Sequence, residues 1–433
     1  MSMRAQLQIR ILVFVALVLL AGSLGQGQGR KTYAIQGAKV YTLAGAPIEN
    51  ATVVIENGKI KAVGRSVSLP AGAQVINARR LEVYPGFFDA VSRLGLVEIG
   101  QVPATQDTTE LGDFNPHLTA ATAVHPASEH IPVARANGIT HALSVPQGGV
   151  MSGQASAIHL AGWTIQEMAI RPSAALVLNW PSLGGGGGGF GGFGPRRPFS
   201  EVRQEYERRV NEITDWLERA RHHAQAMEKG SAAGFARDLK LEALVAVVKG
   251  ELPVLVMTNT DRDIKNAVEF AEKQKIKIII AGGARAWKVK DLLKQKNVPV
   301  ILRPTQSLPS EEDEPYDKPF TAPGELHAAG VKIAFATFDS SDSRTLPYEA
   351  GNAVPYGLPR EEALKAITIY PAEMLGLADK LGTIGPGKIA NLIVTDGDPL
   401  EFRTQVRYLF INGQLTSTEN RHRQLYEKYR ARP

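Results

Sequence analysis

The chain has 433 residues, no cysteine, and 49 basic against 43 acidic side chains, for a formal charge of +6. These numbers exclude a disulfide-stapled scaffold and a thiol nucleophile. They also exclude a single small domain and leave room for a large core with a smaller unit beside it.

The first stretch reads as an address. Arg4 and Arg10 form a basic opening, residues 11–21 are an uncharged apolar run, and small residues follow at Ala21, Gly22, Ser23 and Gly25. That is the layout of a secretory signal over residues 1–25, and it predicts a periplasmic or secreted protein. The run is well short of the roughly 20 residues that a membrane span needs. No other stretch is longer and as apolar, so no stable membrane span is expected. The basic tail, residues 417–433, carries Arg421, Arg423, Lys428, Arg430 and Arg432 and reads as a solvated terminal helix. Nucleic acid is not an expected partner of an exported chain.

Residues 30–82 read as short strands. Residues 51–56 and 59–63 flank Asn57-Gly58, a strong hairpin signal because both turn residues accept positive φ. Residues 389–395 and 406–411, followed by Asn412-Gly413, carry the same signals near the other end of the chain. Residues 30–82 and 380–416 then either form two separate β units or one composite β-sandwich.

Between them, residues 83–379 alternate strand and helix signals. Strands are expected at 83–93, 140–145, 157–160, 174–179, 254–259, 276–281, 298–302 and 332–337, with helices at 263–274 and 286–296. Short buried strands in that number argue for an α/β fold of the (β/α)8 TIM-barrel type. The open-sheet competitor would want a glycine-rich phosphate loop after the first strand, and none is present. An insertion over 183–230 holds a glycine tract, read as a flexible loop. It also holds a helix over 201–229 whose Val202, Tyr206, Val210, Ile213, Leu217, Ala220, Ala224 and Met227 recur on one face.

Four segments together resemble the amidohydrolase superfamily, in its imidazolonepropionase-like branch. They are Val54-Ile55-Glu56-Asn57-Gly58-Lys59-Ile60, Tyr84-Pro85-Gly86-Phe87-Phe88-Asp89, Thr368-Ile369-Tyr370-Pro371-Ala372-Glu373, and Leu381-Gly382-Thr383-Ile384-Gly385-Pro386-Gly387-Lys388. The resemblance implies a composite β-sandwich flanking a metal-bearing barrel. It also implies hydrolysis of C–N bonds, often in cyclic amides. In that family the first strand reads Pro-Gly-x-x-Asp-x-His-x-His, and both imidazoles bind the metal. Here those two positions are Val91 and Arg93. Valine cannot coordinate, and arginine stays protonated and repels a cation. Met257 stands near the expected histidine of the fifth strand, and Phe338 stands where the eighth has its aspartate. Asp339, one residue later, is the surviving candidate for catalysis.

The candidate pocket therefore comprises Asp89, Val91, Arg93, Met257, Asn259 and Phe338, with no metal ligand among them. Strand alternation puts Asp89, Val91 and Arg93 on one face, and Arg93 is expected to pair with Asp339 in the vacated metal position. Two readings stay open. In the first, the chain needs no cofactor and is a weak or inactive homologue. It would bind a small-molecule ligand, a second copy of itself as a homo-oligomer, or an active relative. In the second, it is a working hydrolase with zinc or another divalent metal on a relocated site, for which His117, His125 and His130 are the histidines to consider. His141 and His159 read as buried structural residues.

Overall fold

The computed structural model describes residues 31–184, 198–228 and 237–432. The segment 1–25, expected to be a leader, and most of the glycine tract lie outside the described residues.

The chain opens with β1 (Tyr33–Val40), β2 (Ile48–Glu56), β3 (Lys59–Gly64), β4 (Gln74–Asn77) and β5 (Glu82–Pro85). Asn57 and Gly58 turn β2 into β3 with φ of 53° and 82°, the doubly positive geometry of a tight hairpin that matches strand twist. The barrel follows as β6 (Phe87–Ser92), β7 (Ile139–Ser144), β8 (Met151–His159), β9 (Ala169–Asn179), β10 (Val254–Thr258), β11 (Ile278–Gly282), β12 (Val300–Leu302) and β13 (Ile333–Phe335). The last strands, β14 (Leu392–Thr395), β15 (Val406–Ile411) and β16 (Gln414–Thr416), return to the first sheet. Its order is β16-β15-β14-β5-β1-β2-β3, with β4 beside β1.

Both ends of the chain thus share one mixed sheet. β14 pairs antiparallel with β5, Leu392 opposite Pro85 and Val394 opposite Val83. The sheet curls until its two hairpin tips meet: Ala390 N donates to Gly58 O at 2.9 Å and Gly413 N to Ala390 O at 3.0 Å. Ile35, Val53, Ile55, Ile60, Leu392 and Phe410 fill the space it encloses.

The stretch 83–93, expected as one strand, is two. It breaks at Gly86, which hands the chain from the end sheet to the barrel. Gly86 N donates to Asn391 O at 2.8 Å. A Cβ at this position would sit 2.8 Å from Thr140 Cβ and closer still to the rest of that side chain. The Pro-Gly step is therefore a contact requirement of the junction.

The eight barrel strands lie in sequence order. The ring nearly closes where Phe338 N donates to Val91 O at 2.8 Å and Arg93 N to Asp339 O at 3.2 Å. One strand departs from the expected pattern. β8 starts at Met151, well before residue 157, and runs antiparallel to both β7 and β9. The reason is the connection: only residues 145–150 join β7 to β8, whereas a parallel crossover needs about a dozen or more. The start of β8 consequently lies at the barrel mouth and its end, His159, lies at the base. The interior is filled by Phe88, Leu143, Val177, Leu255, Ile279 and Ile301 among many alanines.

The insertion helix spans Phe199–Glu228 and buries Val202, Ile213, Leu217, Ala220 and Ala224. Met227, expected on the same face, is exposed because the stripe runs off the barrel there. Trp216 stacks on Phe114 with ring centroids 5.6 Å apart, and Arg209 pairs with Asp113 at 2.5 Å. The helix is thereby fastened to the long segment that follows β6. No helix among the described residues is long and apolar enough to cross a membrane.

Candidate functional site

At the carboxyl ends of the strands, where such barrels place their sites, a cavity of about 350 Å3 opens. Val91, Ser92 and Arg93 line it from β6 and its end, Val145, Pro146, Gln147 and Gly148 from the loop after β7, Asn179 from β9, Met257 from β10, and Phe338 from the loop after β13. Apolar surface dominates and one cation enters it.

That cation is Arg93, which is half-buried. With the Gln147 side-chain oxygen turned toward it, the guanidinium donates from Nε at 3.0 Å and also from Nη2. An amide orientation is assigned from its hydrogen bonds, and only this one gives both groups a partner. Burial pulls the Arg93 pKa down and the charge of Asp339 opposes that pull. The expected ion pair between the two does not form. The Asp339 carboxylate instead accepts from Ser341 N at 2.7 Å, Ser341 Oγ at 2.8 Å and Asp342 N at 3.1 Å, so its Oδ1 folds back onto its own loop. Burial would raise the Asp339 pKa, but these bonds and the Arg93 charge outweigh it and leave it low. Arg93 and Asp339 meet through the main chain, at the barrel seam.

Asp89 does not share a face with Val91 and Arg93. The pairing of β6 with β7 shifts register between Asp89 and Ser92, and one extra residue turns every later side chain over. Val91 packs with Phe88 and Ala90 in the interior. Asp89 turns sideways, fully buried, and accepts from Thr337 Oγ1 at 2.5 Å and Thr337 N at 3.1 Å. Burial lifts its carboxyl to about 7, against the Thr337 bonds that favour the charged form. It supports the site from below and does not line it. Asn259 is also displaced: it lies just past β10, exposed, with its main-chain oxygen accepting from Arg285 N at 2.9 Å. Phe338 holds φ of 57°, a strained value for a bulky residue, and its amide closes the barrel onto Val91.

The metal donors implied by the resemblance do not assemble. Among the described residues no group of three or more histidine, aspartate or glutamate side chains could hold an ion. His130 Nε2 bonds Glu98 O at 2.8 Å. His117 is only partly buried, with its pKa lowered by burial and by Lys240, and His125 is exposed. His141 and His159 are both buried at the opposite end of the barrel, where they flank Asn391.

Gln147 and the loop around it were not among the expected residues. The available signal was position alone: they follow a barrel strand at its carboxyl end. A second hollow of about 390 Å3 lies at the carboxyl ends of β11 and β12, bordered by Gly283, Arg303, Leu308, Glu314 and Lys318. Its buried carboxylate, Glu314, is matched by Arg285 at 3.2 Å and Lys288 at 3.7 Å, so it serves as a clasp.

The sequence profile of the Amidohydrolase family matches residues 290–418. The chain is 25% identical over 391 residues to Amidohydrolase tasK of Hapsidospora irregularis, covering 83% of this chain. It spans 39% of that relative's length. A solved amidohydrolase from Thermotoga maritima MSB8 superimposes with a TM-score of 0.76 at 26% identity, over 89% of this chain and 99% of that one. A prolidase solved with N-methylphosphonate-L-proline shares the fold at 18% identity and a TM-score of 0.52, over 90% of this chain and 100% of that one.

Proposed function

The chain belongs to the amidohydrolase superfamily, and from that premise we propose that it is an exported, ligand-binding member whose barrel mouth does not carry out metal-dependent hydrolysis. The lining of the mouth carries this reading. Superfamily chemistry of this kind uses a cation to acidify water and polarise the scissile carbonyl, and that cation needs neutral imidazole or carboxylate donors. The cavity offers Val91, Arg93, Met257 and Phe338 at the corresponding places. A divalent ion there would face a guanidinium, a thioether and a phenyl ring. The two nearest carboxylates are engaged, Asp89 with Thr337 beneath the floor and Asp339 with its own loop.

What remains is a shaped, mostly apolar recess with a single fixed charge, which suits binding of a small molecule. Elemental analysis of protein purified without chelator is expected to find far less than one equivalent of zinc, iron or manganese, and cyclic amides are expected to survive incubation with it. About one equivalent of metal together with turnover would replace this reading with that of a hydrolase on a relocated site. Export rests on Arg4, Arg10 and the apolar run at 11–21. Amino-terminal sequencing is expected to find a mature chain beginning near Gln26, and recovery of intact Met1 from the cytosol would refute it.

A further inference from the structure

We propose that the mouth cavity selects a small monocarboxylate with an apolar body, and that Arg93 is the residue that recognises the carboxylate. The proposal rests on the ligand-binding reading above and adds the class of ligand. Its first support is the state of the guanidinium. Gln147 takes Nε and Nη2, while Nη1 has no hydrogen-bond partner among the described residues and Arg93 forms no ion pair. A half-buried guanidinium that lines a cavity with Nη1 free suits an anion, because a charge-assisted hydrogen bond to a carboxylate is about twice as strong as a neutral one.

The charge of the ligand follows from its surroundings. One cation lines the cavity, and Asp339 lies close enough to act on it electrostatically. Asp339, which does not line the cavity, offsets part of the guanidinium charge, so the site attracts at most one further negative charge and a dianion would be over-charged. Nη1 and the second N–H of Nη2 make up the outer edge of the guanidinium, and a planar two-oxygen acceptor fits that fork better than a spherical anion does. The body follows from the walls: Val91, Val145, Pro146, Met257 and Phe338 present hydrocarbon and a polarisable thioether. The volume of about 350 Å3 sits near the lower end of the roughly 300–1,000 Å3 typical of ligand sites, which suits a compact molecule.

Titration calorimetry of the full chain with phenylacetate and with its neutral isostere phenylacetamide tests this directly. Phenylacetate is expected to bind at least about tenfold tighter, as one charge-assisted hydrogen bond to a guanidinium supplies. Arg93→Met should abolish that preference while leaving weak binding of the amide. Arg93→Lys keeps the charge without the fork, and should retain part of the preference if Arg93→Met fails to fold. Equal binding of acid and amide would overturn the ligand class and leave the binding pocket standing. Binding of neither probe would overturn the pocket reading and this proposal together. A carboxylate preference that survives both substitutions would place the anion site elsewhere and overturn the role of Arg93.

Discussion

Asn391, just ahead of β14, directs its amide nitrogen at Nδ1 of His141 on the second barrel strand, 3.3 Å away. The same nitrogen lies 3.2 Å from His159 Nδ1. Asn412 N donates to the Asn391 oxygen at 2.8 Å, which fixes the amide's orientation. Both imidazoles must therefore accept at Nδ1, so both are neutral with the proton on Nε2. One side chain of the end sheet thus joins two strands of the barrel base, and it does so only while the histidines stay unprotonated.

This junction makes the fold acid-sensitive. Burial, and secondarily the neighbouring His159, which disfavours a second positive charge beside it, holds the His141 pKa well below its ordinary 6.5. Below that pH the unfolded chain binds a proton that the folded chain refuses, so stability falls as pH drops. The slope contributed by His141 approaches about 1.4 kcal/mol per pH unit. Urea unfolding at a series of pH values from 7 downward measures it. Asn391→Asp, which offers the imidazoles a carboxylate, is expected to flatten the loss, and an unchanged slope would refute the assignment.

Asp89 works in the opposite direction. Its folded pKa of about 7 lies above the ordinary 3.8, so its contribution is fully present below that ordinary value and is lost as pH rises toward 7. The loss amounts to roughly 4 kcal/mol across that window. Asp89→Asn keeps the size and can still bond Thr337. Its unfolding midpoint should exceed the wild type's at pH 8 and lose that advantage near pH 4. A constant difference across this range would mean that Asp89 does not titrate there.

Gly86→Ala tests the junction by sterics. The added Cβ would overlap Thr140, whose hydroxyl lies 2.6 Å from His141 Nδ1. Overpacking of this kind costs about 3 kcal/mol. Thermal unfolding should show a clear drop in midpoint, while a midpoint within experimental error of wild type would show that Thr140 can move aside.

Restoring the family's first-strand histidines should not restore a metal centre. Val91→His with Arg93→His supplies two imidazoles, but Met257 and Phe338 add no further donor, and catalytic zinc sites use three protein ligands. Equilibrium dialysis against zinc is expected to leave the double variant well short of one tightly held equivalent. Stoichiometric uptake would show that a third donor swings in.

The sequence alone determined whatever depends on local chemistry. Asn57-Gly58 specified its hairpin because only such residues take two positive φ values in succession. Strand signals at the two chain ends and eight strands between them were legible, while the pairing of the two ends into one sheet followed only from the resemblance and from β14 meeting β5. That Val91 and Arg93 offer no imidazole or carboxylate was likewise readable, because a side chain's ability to bind a cation is intrinsic. Tertiary structure decided the rest. The direction of β8 depended on a connection too short for a crossover, and alternation looks the same in either direction. The orientations of Asp89 and Arg93 depended on a register shift against β7, which period-two patterning cannot reveal. The choice of Gln147 over Asp339 as the partner of Arg93 was settled by competition: the loop amides at 341 and 342 hold the carboxylate first, and no spacing along the chain records which of two nearby groups is already engaged.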